Sequence, residues 1–74
     1  PAVYQEYYYH LDWGPQEVSQ FIADLGYPQY AELFLAEQIS GYDLHDLNHD
    51  VLEKIGVRAF GERNTILNAI PHLT

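Results

Sequence analysis

Proline and glycine set an upper limit on the length of every regular element this chain can form. Pro15, Gly26, Pro28, Gly41, Gly56 and Pro71 divide its 74 residues into short stretches. A proline at the first position of a helix costs nothing, because its missing N–H would lack an intrahelical partner anyway, so Pro15 and Pro28 read as helix starts. Gly26 stops the first helix, and Gly56 ends a later one in the left-handed conformation that glycine adopts cheaply. Apolar residues recur at helical spacing between these marks. Val18, Phe21, Ile22 and Leu25 form the first stripe, with Trp13 placed to fold back onto Val18 as a hydrophobic staple. Tyr30, Leu33 and Phe34 form the inward face of the second helix. Ser40 can cap a short third turn carrying Leu44 and Leu47, and Asn48 can cap a fourth helix that turns Val51, Leu52 and Ile55 inward. The fifth begins near Ala59 or Phe60 and buries Ile66, Leu67 and Ile70, and Pro71 blocks its continuation. No stretch alternates apolar and polar residues long enough to make a strand. The pattern predicts an all-α, compact five-helix bundle with a longer C-terminal helix.

A chain of this length holds one small domain, near the lower limit for a core without a covalent or metal staple. The absence of cysteine removes disulfides, thiolate metal sites and a cysteine nucleophile, and suits a reducing compartment. No apolar run approaches the roughly 20 residues that cross a bilayer, and the start has no signal-peptide pattern. A cytoplasmic location is expected. The first residue is Pro1 rather than methionine, so the chain reads as a fragment of a longer protein.

The net charge at pH 7 is −8, and it is divided unevenly. Residues 1–53 carry ten of the 11 acidic groups and no base, while all three basic residues, Lys54, Arg58 and Arg63, lie within ten positions of one another. Nucleic acids and anionic membranes both need clustered cations, so neither is an expected partner.

Residues 1–11 are rich in tyrosine. Tyr4, Tyr7, Tyr8 and Leu11 have helical spacing, although a frayed end or linker is the simpler reading for so short a stretch. Tyrosine phosphorylation there is a further option. His45 and His49 stand four apart beside Asp46 and Asp50, a spacing that grips a metal on a continuous helix. A helix boundary at Leu47 and Asn48 breaks that face, so surface histidines are the preferred reading, and no metal or cofactor is expected. No nucleophile setting or phosphate-binding loop is present, and Phe21, Tyr30, Phe34, Leu52 and Leu67 read as core rather than as a pocket lining. Neither an enzyme nor a small-molecule substrate is expected.

Residues 30–41 have the form YxxxFxxxxIxG, carried by Tyr30, Phe34, Ile39 and Gly41. Residues 55–63 have the form IGVxxxGxR, carried by Ile55, Gly56, Val57, Gly61 and Arg63, with Ile66 and Leu67 following. With Trp13, Val18, Leu25, Gly26, Leu44, Leu47 and Leu52, these residues resemble the sterile alpha motif (SAM) family of five-helix domains. The resemblance covers about residues 12–70, so residues 12–74 are expected to form the domain and residues 1–11 an arm. Three positions depart from the family pattern. Gly14 replaces the usual Ser or Thr cap, Glu62 stands where a His or base is common, and Pro71 shortens or bends the last helix.

The resemblance implies a non-catalytic interaction module that recruits or oligomerises a larger signalling or scaffold protein. Its partner would be another SAM domain, a second copy or a different one, bound head to tail. Two surfaces are implied. The matching end-helix positions are Lys54, Val57, Arg58, Ala59, Phe60 and Arg63. The matching mid-loop positions are Glu37, Tyr42, Asp43, His45, Asp46 and Asp50. Helix N-termini carry positive potential, which suits the end-helix face to carboxylates, and Phe60 supplies an apolar anchor. Other roles stay open: Arg63 in an intramolecular pair, Phe60 in its own core, and the acids as a solvated surface. The alternative function within the family is RNA hairpin binding, which the shortage of bases and Glu62 oppose.

Overall fold

The computed structural model describes residues 9–73, and among them every regular element is helical. A 3-10 turn at His10–Asp12 leads into α1 (Pro15–Asp24) and α2 (Pro28–Ala36). A six-residue 3-10 helix, Gly41–Asp46, follows in third place. Then come α3 (His49–Ile55), α4 (Phe60–Ala69) and a 3-10 turn at Ile70–His72. With that turn, Phe60–His72 is the longest helical run. Tyr4, Tyr7 and Tyr8 lie outside the described residues.

The boundaries follow from local chemistry. Pro15 and Pro28 open their helices. The cap missing at Gly14 is made good from inside the helix, where the Glu17 carboxylate accepts the Gly14 N–H at 2.7 Å. That carboxylate also lies where the helix field favours negative charge. Asn48 caps α3 as its residue type suggests, its Oδ1 accepting Val51 N–H at 2.9 Å. Ser40 behaves differently from the expected cap, since its N–H and Oγ–H both donate to Asp43 Oδ2 at 3.0 Å. Gly56 sits at φ 123°, and Val57 N–H closes the helix end onto Leu52 O at 2.9 Å.

Val18, Ile22, Phe34, Leu44, Leu52, Val57 and Ile66 are fully buried and draw one core from all five helical segments and the turn before α4. α1 packs chiefly on α2, and Ser19 Oγ–H ties the pair by donating to Ala31 O at 3.0 Å. Trp13 packs against this core, but its ring partner is Phe21, 5.6 Å away between centroids.

The His10–Asp12 turn is also part of the packed body, through His10. His10 is buried, and its backbone oxygen occupies the place a side chain on Gly41 would need: a Cβ there would stand 1.6 Å from His10 O. Gly41 N–H in turn donates to Trp13 O at 2.9 Å. Gly41 is therefore the position that lets the N-terminal segment lie against the Gly41–Asp46 helix.

Candidate docking surfaces

The turn Val57–Ala59 brings the end of α3 against the start of α4. Ala59 is the N-cap residue and provides no side-chain acceptor. The N–H groups of the first turn of α4 consequently face outward without an intrahelical partner, and they add positive potential there. Arg58, Ala59 and Phe60 are exposed around that helix end, with Phe60 63% exposed. The ring is open to solvent on one side and supported on the other.

What holds it is His49, from the first turn of α3. The two rings stack with centroids 4.6 Å apart and planes at 4°. Arg63, one turn along α4, passes its guanidinium carbon 5.9 Å from the Phe60 centroid. Its Nε–H donates to His49 Nδ1 at 3.0 Å, and its Nη1 donates to Val57 O at 2.9 Å and Arg58 O at 2.7 Å. A guanidinium has no acceptor, so this geometry requires His49 Nδ1 to be bare and the ring proton to sit on Nε2.

Two of the expected end-helix residues are corrected by burial. Val57 is fully buried in the core, because the closure of α3 at Gly56 turns it inward. Arg63 is 9% exposed and spends its donors on its own chain. A third, Lys54, is exposed but pairs with Asp50 at 3.1 Å on the same helix. Since Asp50 was expected on the mid-loop face, the acidic and basic sets meet on α3 rather than standing at opposite poles. With Arg63 buried and Lys54 paired, Arg58 is the exposed Lys or Arg left without an ion pair among the described residues.

The mid-loop residues lie on and beside the 3-10 helix. Tyr42 is 73% exposed, and Glu37, Asp43, His45, Asp46 and Asp50 are also exposed. Asp43 is engaged with Ser40, as described above. His45 meets the buried His10, with Nε2 atoms 2.7 Å apart, one donating to the other. His45 and His49 thus take separate partners, His45 with His10 and His49 with Arg63.

Glu62 is turned away from any ligand role at the start of α4, because its carboxylate accepts the hydroxyl proton of Tyr30 from α2. That hydrogen bond, with a smaller contribution from burial, raises the Tyr30 pKa above its ordinary value. Sequence spacing does not pair His49 with Arg63, which lies 14 residues away. Tyr30 and Glu62 were likewise hidden, 32 residues apart.

A family profile described as SAM domain (Sterile alpha motif) matches residues 12–73. The chain belongs to the SAM family. It is similar to the mitogen-activated protein kinase adapter protein MST50 of Pyricularia oryzae, with 37% identity over 59 residues, covering 80% of this chain and 12% of that protein. It is also similar to the dual specificity protein kinase splA of Dictyostelium discoideum, with 30% identity over 60 residues, 80% of this chain and 2% of that protein. This SAM domain therefore spans only a small part of the relatives it matches. No solved structure matches it. Among the described residues, no helix is long and apolar enough to cross a membrane.

Proposed function

We propose that this SAM domain is a non-catalytic protein-interaction module that docks head to tail, its end-helix face against the mid-loop face of a second copy or of another SAM domain. The observation that carries the reading is Phe60, an exposed aromatic ring held on a stacked imidazole beside Arg58 and the uncapped start of α4. The acceptor is the surface around Tyr42, an exposed aromatic that shares its 3-10 helix with the exposed Asp43 and Asp46. Aromatic and arginine side chains dominate binding energy in small interfaces, and rim charges set orientation and rate.

The charge arrangement bears on the choice of partner. The end-helix face offers one unpaired base against a densely acidic neighbour, so self-association is weak and strengthens with salt that screens the repulsion between copies. A different SAM domain with more exposed bases on its end-helix face fits the acidic surface better. The relatives are named as a kinase adapter and a kinase, which supports a role in recruiting or oligomerising a larger cytoplasmic signalling protein. Each contact is small, and function depends on repetition or tethering.

Sedimentation across a concentration series, at low and moderate salt, tests the reading. The unsubstituted domain is expected to associate reversibly, and Phe60→Glu or Asp46→Lys to stay monomeric with unchanged helical content. Association that survives both substitutions would remove the basis for the two-surface assignment.

A further inference from the structure

We infer that His49 is a positioning residue for the end-helix face, and that protonating its Nδ1 switches docking off. The inference rests on the docking reading above and adds its regulation. Two independent contacts converge on one ring. The Nδ1 lone pair accepts from Arg63, and the ring face supports Phe60. The Arg63 contact does not survive protonation, because a proton on Nδ1 would face the Arg63 Nε–H with no acceptor between two cations. The ring then has to leave Arg63, and Phe60 loses the platform that fixes it.

The surroundings decide whether another group could offset that loss in place. From α4, the charged neighbours are Arg63, which repels, and Glu62, which is committed to Tyr30. The preceding turn contributes Arg58, and the 3-10 helix contributes Asp46 and His45, the latter engaged with His10. On α3 itself, Lys54 and Asp50 pair with each other. Asp46 and Glu53 remain as exposed carboxylates. Among the described residues the one salt bridge is Lys54–Asp50, so no carboxylate stands within 4.0 Å of the imidazole while it stacks on Phe60. A protonated ring gains a carboxylate partner only by leaving its present position.

Docking is therefore expected to weaken as the pH falls, and to do so through His49. The test uses a defined pair of proteins, one carrying Tyr42→Lys, with its end-helix face intact, and one carrying Phe60→Glu, with its mid-loop face intact. His49→Phe is added to the first protein to keep a flat ring without a titrating nitrogen. His49→Asn is added separately to keep an acceptor for Arg63 without the ring. With His49 present, affinity is expected to drop roughly tenfold between about pH 7.5 and 5.5, about 1.4 kcal/mol. With His49→Phe the drop is expected to shrink to about threefold or less, and with His49→Asn affinity is low at both pH values. Phe60 ring proton shifts, followed by NMR on the unmixed protein, are expected to move together with the His49 signals and to be constant with pH in His49→Asn. A pair that binds equally well across the range, or Phe60 signals that ignore the titration of His49, would overturn the switch while leaving docking intact. A pair that fails to bind at pH 7.5 would instead overturn the docking reading and its regulation together.

Discussion

Arg63 shows how one side chain can be charged, buried and structural at once. Its guanidinium satisfies the carbonyls of Val57 and Arg58, which the turn before α4 leaves without helical partners, and it also meets the His49 ring. Removing it strands two carbonyl acceptors near the core, and a lysine cannot restore the forked geometry. Arg63→Ala is expected to cost about 3 kcal/mol in urea unfolding, with Arg63→Lys recovering only part of this, while Arg58→Ala stays within about 0.5 kcal/mol. Equal effects at the two arginines would contradict the division of labour between them. Tyr30 gives a second test at this scale. Its folded-state pKa is raised, chiefly by the hydrogen bond to Glu62. The native state therefore holds this proton more tightly than the unfolded chain, so the contribution is complete below the ordinary tyrosine pKa near 10 and is lost as pH rises through the raised value. Tyr30→Phe is expected to flatten the alkaline limb of a stability profile and leave the acid limb unchanged. A profile identical to that of the unsubstituted domain would contradict this linkage.

The elements themselves were legible where their boundaries are written in local chemistry. Pro15, Pro28, Asn48 and Gly56 act on their own backbone neighbours, and the helices begin and end where those residues require. What the sequence hid depends on contacts between distant segments. Arg63 reads equally as a docking base or as one side of an intramolecular pair until the carbonyls of the preceding turn are in place. His10 reads as part of a polar arm, yet it is buried because Gly41 has no side chain to exclude it. Gly41→Ala puts a methyl group into the His10 carbonyl, and relief requires moving backbone rather than a flexible side chain. We expect a loss of about 3 kcal/mol in thermal or urea unfolding, with the Tyr9–Trp13 segment displaced from the 3-10 helix. An unperturbed alanine variant would show that this close approach is not required.

At the scale of the whole molecule, the uneven charge along the chain does not become two separate poles. Lys54 and Asp50 neutralise each other on α3, Arg63 is withdrawn into the body, and the basic contribution to the surface falls to Arg58 with the start of α4. The family and the five-helix arrangement were readable from residues 12–70, because their pattern is mainly core spacing and helix punctuation. The composition of the docking faces was less readable, since exposure at Val57, Phe60 and Arg63 is decided by how α3 and α4 meet. The proposed docking sets Phe60 of one molecule against the Tyr42 region of the next. The most direct test of that arrangement is to mix Phe60→Glu protein with Asp46→Lys protein and measure mass by sedimentation. Each variant alone is expected to remain monomeric, and the mixture to form a one-to-one dimer, because one intact face survives on each partner. A mixture that stays monomeric while the unsubstituted domain associates would contradict head-to-tail docking.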